Sequence, residues 1–126
     1  MAFKEKVLED LRSFLPDEAL LLNEEATSRQ AGGLHTEEPV KAKLIVRPKS
    51  TEEVSKVLSI CNKEKQSVVV HGGLTGLVYG TRTLPDQLIL SLERMNEINE
   101  VDVVGRTMTC QSGATLQNIQ EEAEEQ

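Results

Sequence analysis

The chain has 126 residues, a net charge of −7 and no tryptophan, and aromatic residues make up 2% of it. This length allows at most one domain, whose core must consist of Val, Leu, Ile and Ala side chains. The acidic balance argues against nucleic acid or an anionic membrane as the main partner. No apolar run approaches the roughly 20 residues of a membrane-spanning helix, so no transmembrane segment is expected.

The cysteines and histidines predict neither a disulfide nor a metal site. Cys61 and Cys110 have no paired spacing, so two reduced thiols are expected. His35 and His71 have no acidic or thiol partner at the spacing of metal ligands. The N-terminus is charged from Lys4 onward and lacks an apolar signal core, which favours a cytoplasmic location.

The first 39 residues are interpreted as a helical and loop extension. Apolar residues at helical spacing predict a helix over residues 3–14, which Pro16 interrupts. A second short helix is expected over residues 17–22. Residues 23–39 are polar and aperiodic and contain a glycine pair, so they are interpreted as a loop whose length is often a sign of function or mobility.

A strand, a helix and a second strand are predicted next. The first strand covers residues 43–47 and ends at Pro48. Ser50 and Glu53, three positions apart, form a capping box that begins a helix over residues 51–64. The side chains expected to face inward on this helix are Val54, Val57, Leu58 and Cys61. The next strand begins near Ser67, and a crossover of this length makes the two strands parallel.

The remainder of the chain predicts a third strand, a hairpin and a final helix. The strand covers residues 87–92, and the hairpin joins residues 100–104 to 106–112 through Gly105. The helix begins after Gly113, and its inward residues are expected to be Leu116, Ile119 and Ala123.

Four glutamates occupy the last turn of that final helix, where they oppose the negative end of the helix dipole. No glycine or asparagine follows them as a cap. Either the end is a frayed acidic tail, or the helix continues and the chain is the N-terminal piece of a longer protein. We favour the second interpretation.

The most informative stretch is a β-branched run that leads into four glycines within nine positions, Gly72, Gly73, Gly76 and Gly80. Glycine tolerates positive φ and lets the backbone come close to another object. A loop of bare N–H groups at the end of a strand can hold an anion such as a pyrophosphate. The alternative is that the glycines only permit a tight crossing of backbone segments. The spacing alone leaves both interpretations open.

Two common nucleotide motifs are absent from this loop. A Walker A loop requires a Lys and a hydroxyl residue after its last glycine, but Gly76 is followed by Leu77 and Val78. A Rossmann turn has the spacing G-x-G-x-x-G and begins a helix. The glycines here lack that spacing, and the chain continues through Pro85 into a predicted strand.

Three motifs occur in a recognisable order: VRPKSTEEV at residues 46–54, GGLTGLVYG at residues 72–80, and LSLERMN at residues 90–96, with Gly113 and Leu116 following. Together they resemble the N-terminal FAD-binding domain of the vanillyl-alcohol oxidase/p-cresol methylhydroxylase superfamily, the PCMH type. The branch most similar to this chain contains the glycolate oxidase FAD subunit and the D-lactate and D-2-hydroxy acid dehydrogenases. The resemblance covers about residues 40–126 and implies that the domain is incomplete at its C-terminus.

The resemblance implies an α/β (α+β) fold with a small parallel strand-helix-strand unit, a β-hairpin and flanking helices. It also implies that backbone N–H groups of the glycine loop bind the FAD pyrophosphate. The implied cofactor-binding residues are Gly72, Gly73, Leu74, Thr75, Gly76, Leu77, Gly80 and Pro48. Thr75 takes the place of a histidine that some relatives attach covalently to the flavin, so FAD is expected to bind non-covalently.

Two residues depart from the family pattern, because Leu74 and Tyr79 stand where relatives usually have glycine or, at the first position, asparagine. No catalytic residue is assigned, since the substrate domain of relatives lies beyond residue 126. The implied activity is oxidation of a small 2-hydroxy acid such as glycolate or D-lactate, with hydride passing to the flavin N5. The alternatives are another flavoprotein of this fold, such as a UDP-sugar reductase, or a non-catalytic remnant or split-gene product that binds a partner chain.

Overall fold

The computed structural model describes residues 3–32 and 38–126. In chain order, the elements are α1 (Glu5–Arg12), a 3₁₀ turn (Asp17–Ala19), β1 (Leu20–Leu22), α2 (Glu24–Thr27), β2 (Leu44–Val46), α3 (Thr51–Glu64), β3 (Val68–His71), β4 (Leu88–Ser91), β5 (Ile98–Asp102), β6 (Thr107–Cys110) and α4 (Leu116–Glu125). No helix in these two ranges is long and apolar enough to cross a membrane.

Four strands form a mixed sheet in the order β1-β2-β4-β3. Strands β2 and β3 both run parallel to β4, whereas β1 is antiparallel to β2. The prediction that the strands on either side of α3 are parallel is therefore confirmed. The third predicted strand, β4, lies between them. The α/β fold with a separate β5-β6 hairpin also agrees with the sequence-based expectation.

The sheet buries apolar side chains on both faces, as central parallel strands usually do. On one face Leu44, Leu88 and Leu90 pack against α1 and α3. On the other face Ile45 and Ile89 are covered by small residues that precede β2, namely Ala26, Ala31, Val40 and Ala42. The segment predicted to be a long loop therefore contributes to the core.

Helix α3 begins as its capping box predicts. The Ser50 hydroxyl accepts a hydrogen bond from the Glu53 N–H at 3.2 Å, and the Glu53 carboxylate accepts one from the Lys49 N–H at 2.6 Å. Val57 and Cys61 are buried, and burial raises the pKa of the Cys61 thiol to about 11. The inward position assigned to Leu58 is wrong, because this side chain is 44% exposed.

Two predictions near the N-terminus need correction. Only Asp17–Ala19 of the predicted second helix is helical, because Leu20–Leu22 pairs with β2 as an edge strand. The predicted loop contains one helical turn, Glu24–Thr27, whose Ala26 is buried against the sheet. The glycine at position 33 and His35 lie outside the described residues.

The last helix begins later and packs more loosely than predicted. Thr115 caps α4 by accepting a hydrogen bond from the Asn118 N–H at 3.2 Å, so the helix begins at Leu116. None of its residues is buried, and Leu116 is 68% exposed. The prediction of a buried stripe through Leu116, Ile119 and Ala123 is therefore wrong. Ile119 and Ala123 instead line an open cavity of about 330 Å³ beside the hairpin.

Candidate functional site

A cleft of about 530 Å³ opens at the carboxyl ends of β3 and β4. One side is the start of the glycine loop that follows β3, and the other is the segment that leads into α4. Its lining consists of Gly72, Gly73, Thr75, Glu93, Ser112, Gly113, Ala114, Thr115, Leu116 and Gln117. Ligands commonly bind at such an edge of a parallel sheet, where loops from neighbouring strands meet.

The four glycines of the loop do not use the positive φ that glycine permits. Gly72, Gly73, Gly76 and Gly80 all have negative φ, whereas Leu74 (φ 59°) and Tyr79 (φ 62°) lie in the left-handed region. The latter two are the residues that depart from the family pattern. Leucine and tyrosine are strained in this conformation, which glycine and asparagine tolerate better.

The same four glycines face open space. A Cβ built on any of them would meet no described residue other than its two chain neighbours within 4 Å. Among the described residues, no backbone crosses close to these four glycines, and the close backbone approach to this loop involves Gly32, whose Cβ would overlap the Leu74 carbonyl oxygen. Gly113 is different, because its Cβ would overlap the carbonyl oxygen of Leu92. The loop glycines leave a bare backbone surface, whereas Gly113 is required by internal packing.

His71 and Thr83 hold the ends of the loop. His71 ends β3 as predicted, is 4% exposed, and donates from Nε2 to the Thr81 carbonyl at 2.8 Å. Burial lowers the pKa of this imidazole, with a smaller contribution from Arg29, although the hydrogen bond to Thr81 opposes the shift. The Thr83 hydroxyl accepts hydrogen bonds from Lys41 N–H at 3.0 Å and from the next residue's N–H at 3.1 Å.

The opposite wall of the cleft is the beginning of α4. The first turn of this ten-residue helix has no acidic residue, and its free N–H groups and dipole favour a negative charge nearby. Gly113 fixes the approach to the helix through a hydrogen bond from its N–H to the Met95 carbonyl at 2.8 Å. The cleft therefore lies between the bare backbone of the glycine loop and the N-terminal end of α4.

Glu93 brings a carboxylate to the same cleft. Its Oε1 accepts hydrogen bonds from Arg29 Nη1 at 2.5 Å and from the Ser91 hydroxyl at 2.9 Å. Its Oε2 lies 3.4 Å from Arg29 Nη2 and 3.7 Å from Arg47 Nη1. Partial burial acts to raise the pKa of Glu93, but the hydrogen bonds from Arg29 and Ser91 and the charges of both arginines outweigh it, so the pKa is lowered.

The predicted cofactor-binding residues are distributed unevenly around the cleft. Gly72, Gly73 and Thr75 line it. Gly76, Leu77 and Gly80 lie further along the loop and are exposed, whereas Pro48 is fully buried after β2.

Sequence reasoning assigned no role to Glu93, Arg29 or the residues just before α4. Arg29 is 64 positions from Glu93. A contact between residues so far apart in sequence cannot be predicted from local spacing. In the described ranges, no group of three or more His, Cys, Asp and Glu residues could hold a metal ion.

The profile of the family described as "FAD binding domain" matches residues 42–126. This match includes every residue that lines the cleft. The chain belongs to this family of FAD-binding domains, of the PCMH type. The resemblance recognised in the three sequence motifs is thus confirmed.

Curated relatives of this FAD-binding chain include dehydrogenases of D-2-hydroxy acids. A probable D-2-hydroxyglutarate dehydrogenase of Oryza sativa subsp. indica is 45% identical over 78 residues, which are 62% of this chain and 14% of that protein. A putative D-lactate dehydrogenase of Schizosaccharomyces pombe is 41% identical over 78 residues, 62% of this chain and 15% of that protein. The D-2-hydroxyglutarate–pyruvate transhydrogenase of Saccharomyces cerevisiae is 33% identical over 110 residues, 87% of this chain and 21% of that protein. The chain thus spans only about a fifth or less of these relatives.

Solved structures share the fold at low sequence identity. An alkyldihydroxyacetonephosphate synthase superimposes with a TM-score of 0.83 and 18% identity, over 98% of this chain and 26% of that one. p-Cresol methylhydroxylase gives a TM-score of 0.77 and 21% identity, over 96% of this chain and 24% of that one. The architecture is therefore that of the N-terminal part of PCMH-type folds.

Substitutions at Gly113 and at the loop glycines should differ in how much they change stability. Gly113→Ala should lower the free energy of unfolding by about 2 kcal/mol or more, because its Cβ overlaps backbone that cannot easily move. Gly73→Ala should change it by less than about 1 kcal/mol, because its φ is negative and its surroundings are empty. Urea unfolding of both variants measures the difference. A similar loss in both would show that the loop glycines are also required by packing.

Proposed function

We propose that this chain forms the FAD-pyrophosphate-binding part of a flavoenzyme that oxidises small D-2-hydroxy acids. The observation that carries the proposal is the bare backbone of the glycine loop, where added Cβ atoms would meet no described residue other than their own chain neighbours. Since neither backbone conformation nor packing requires glycine there, an external group that approaches closely accounts for it best. The match to the FAD-binding family supports FAD as that group.

In this proposal the chain binds and orients the cofactor. N–H groups from Gly72 to Leu77 donate to the diphosphate, and the beginning of α4 adds a favourable dipole from the opposite wall. Gly80 and Pro48 stay predicted cofactor-binding residues, Gly80 exposed further along the loop and Pro48 buried after β2. When bound, FAD supplies the flavin ring that accepts a hydride. Residues 40–126 form this cofactor-binding part, and residues 1–39 form an extension to it.

The names of the relatives support the proposed substrate class. Proteins named for D-2-hydroxyglutarate and D-lactate share 33–45% identity with this chain. A 2-hydroxy acid of the D-lactate or glycolate type is therefore the preferred substrate class, ahead of the UDP-sugar alternative. We assign no catalytic residue to these 126 positions. The cytoplasmic location stays a prediction, and the rice and S. pombe relatives are named as mitochondrial.

The glycine loop is tested by FAD binding. Gly73→Val should reduce FAD binding to an undetectable level, because its side chain projects into the space assigned to the diphosphate. Leu74→Asn is the matched loop variant, and it should bind FAD as the unaltered chain does, since its N–H is kept and asparagine tolerates the observed φ. Fluorescence titration of FAD measures both.

If both variants bind FAD like the unaltered chain, the loop glycines do not contact the cofactor. If the unaltered chain binds no FAD, the interpretation as a non-catalytic, partner-binding fragment becomes the better one.

The mode of attachment has a separate test. Thr75 cannot form a histidyl-flavin bond, and the His71 ring is buried and hydrogen-bonded to Thr81. Acid precipitation of the FAD-loaded protein should therefore release all of the flavin into the supernatant. Flavin absorbance that stays in the washed precipitate would contradict non-covalent binding.

A further inference from the structure

We propose that Arg29 is a positioning residue of the cofactor cleft, where its ion pair with Glu93 offsets a carboxylate that would otherwise repel the FAD diphosphate. This inference rests on the proposed function and extends it to the N-terminal segment. Arg29 precedes the residues that match the FAD-binding family, which begin at position 42.

Glu93 places a carboxylate in the cleft that is assigned to the FAD diphosphate. Glu93 lines the cleft together with Gly72 and Gly73, whose N–H groups are assigned to the diphosphate. The pKa of its carboxyl group is lowered, since the hydrogen bonds and arginine charges outweigh the opposing effect of burial, and the group is ionised at neutral pH. A second anion in the same cleft therefore meets a like charge.

Arg29 is the principal counter-charge. Its guanidinium approaches both carboxylate oxygens, at 2.5 and 3.4 Å, the forked arrangement that gives arginine its strong carboxylate contacts. Arg47 lies further away, at 3.7 Å, and its other terminal nitrogen donates to the Glu18 carbonyl. Among the described residues, removing Arg29 would leave the Glu93 carboxylate with the more distant Arg47 and the Ser91 hydroxyl.

The backbone around Arg29 fixes its position. Its N–H donates to the Ala26 carbonyl at 3.1 Å, and its own carbonyl accepts from the Val40 N–H at 2.8 Å. Both Ala26 and Val40 are buried against the second face of the sheet. The segment before β2 thus holds the arginine where it reaches across to the strand end of β4.

A double-mutant cycle tests the role of the pair. FAD binding is measured by equilibrium dialysis for the unaltered chain, Arg29→Ala, Glu93→Gln and the double variant, with inorganic pyrophosphate as a competitor and riboflavin as a ligand without phosphate. Arg29→Ala should weaken FAD binding about tenfold, because the carboxylate is left largely uncompensated. Glu93→Gln should bind FAD at least as tightly as the unaltered chain. The double variant should recover to within about threefold of the unaltered chain.

The matched control is Lys6→Ala, which removes one positive charge from an ion pair confined to α1, with Asp10 at 3.1 Å. It should leave FAD binding unchanged.

A double variant that binds as weakly as Arg29→Ala would mean that Arg29 acts on the ligand directly or through the fold, and the proposal would be wrong. Weaker binding by Glu93→Gln, or an unaffected Arg29→Ala, would also overturn it. Absence of both FAD and pyrophosphate binding in the unaltered chain would instead reject the proposed function.

Discussion

The parallel pairing of β4 with β2 and β3 is the constraint on which the rest of the structure depends. Strand β4 is buried on both faces, with Leu88 and Leu90 on one side and Ile89 on the other. Parallel pairing brings the carboxyl ends of the three strands to one edge of the sheet. Consequently the glycine loop after β3 and Glu93 after β4 share a cleft, although they are distant in sequence.

The loop glycines and Gly113 differ in what surrounds them. Gly113 is explained by the chain itself, because backbone carbonyl groups fill the space where its Cβ would be. The described residues offer no such explanation for the loop glycines, since their φ values are negative and no described residue beyond their chain neighbours lies within 4 Å of an added Cβ. Leu74 and Tyr79, by contrast, have positive φ, so conformational freedom in this loop is required at residues that are not glycine. Backbone conformation therefore does not account for the placement of glycine in this loop, which is why we propose close approach of a ligand as its cause.

Local sequence signals predicted the elements whose determinants are local. The Ser50 and Glu53 capping box set the beginning of α3, and the apolar runs of β2, β3 and β4 were each found. Periodicity failed where tertiary contacts decide the outcome. Residues Leu20–Leu22 form a strand because β2 offers them an antiparallel partner. Helix α4 has an apolar stripe, but no described element packs closely enough against it to bury a residue.

In the candidate site, too, the local features were predictable from sequence and the long-range contacts were not. Its glycine loop was visible in the sequence, because a strand followed by clustered glycines is a local pattern. The contact between Arg29 and Glu93 was not, because it joins residues 64 positions apart and depends on the order of strands in the sheet. The burial of Pro48 was likewise unpredictable, because it depends on how the chain packs after β2.

The central claim is that backbone N–H groups of the glycine loop and of the beginning of α4 bind a diphosphate. Its most direct test is a titration of the ¹⁵N-labelled chain with inorganic pyrophosphate and with FAD, followed by backbone amide chemical shifts. The account predicts saturable shift changes concentrated at residues 72–77 and 115–117, produced by both ligands, with little change at the hairpin turn over residues 103–106. Changes confined to other parts of the chain, or no saturable change at the glycine loop, would contradict it.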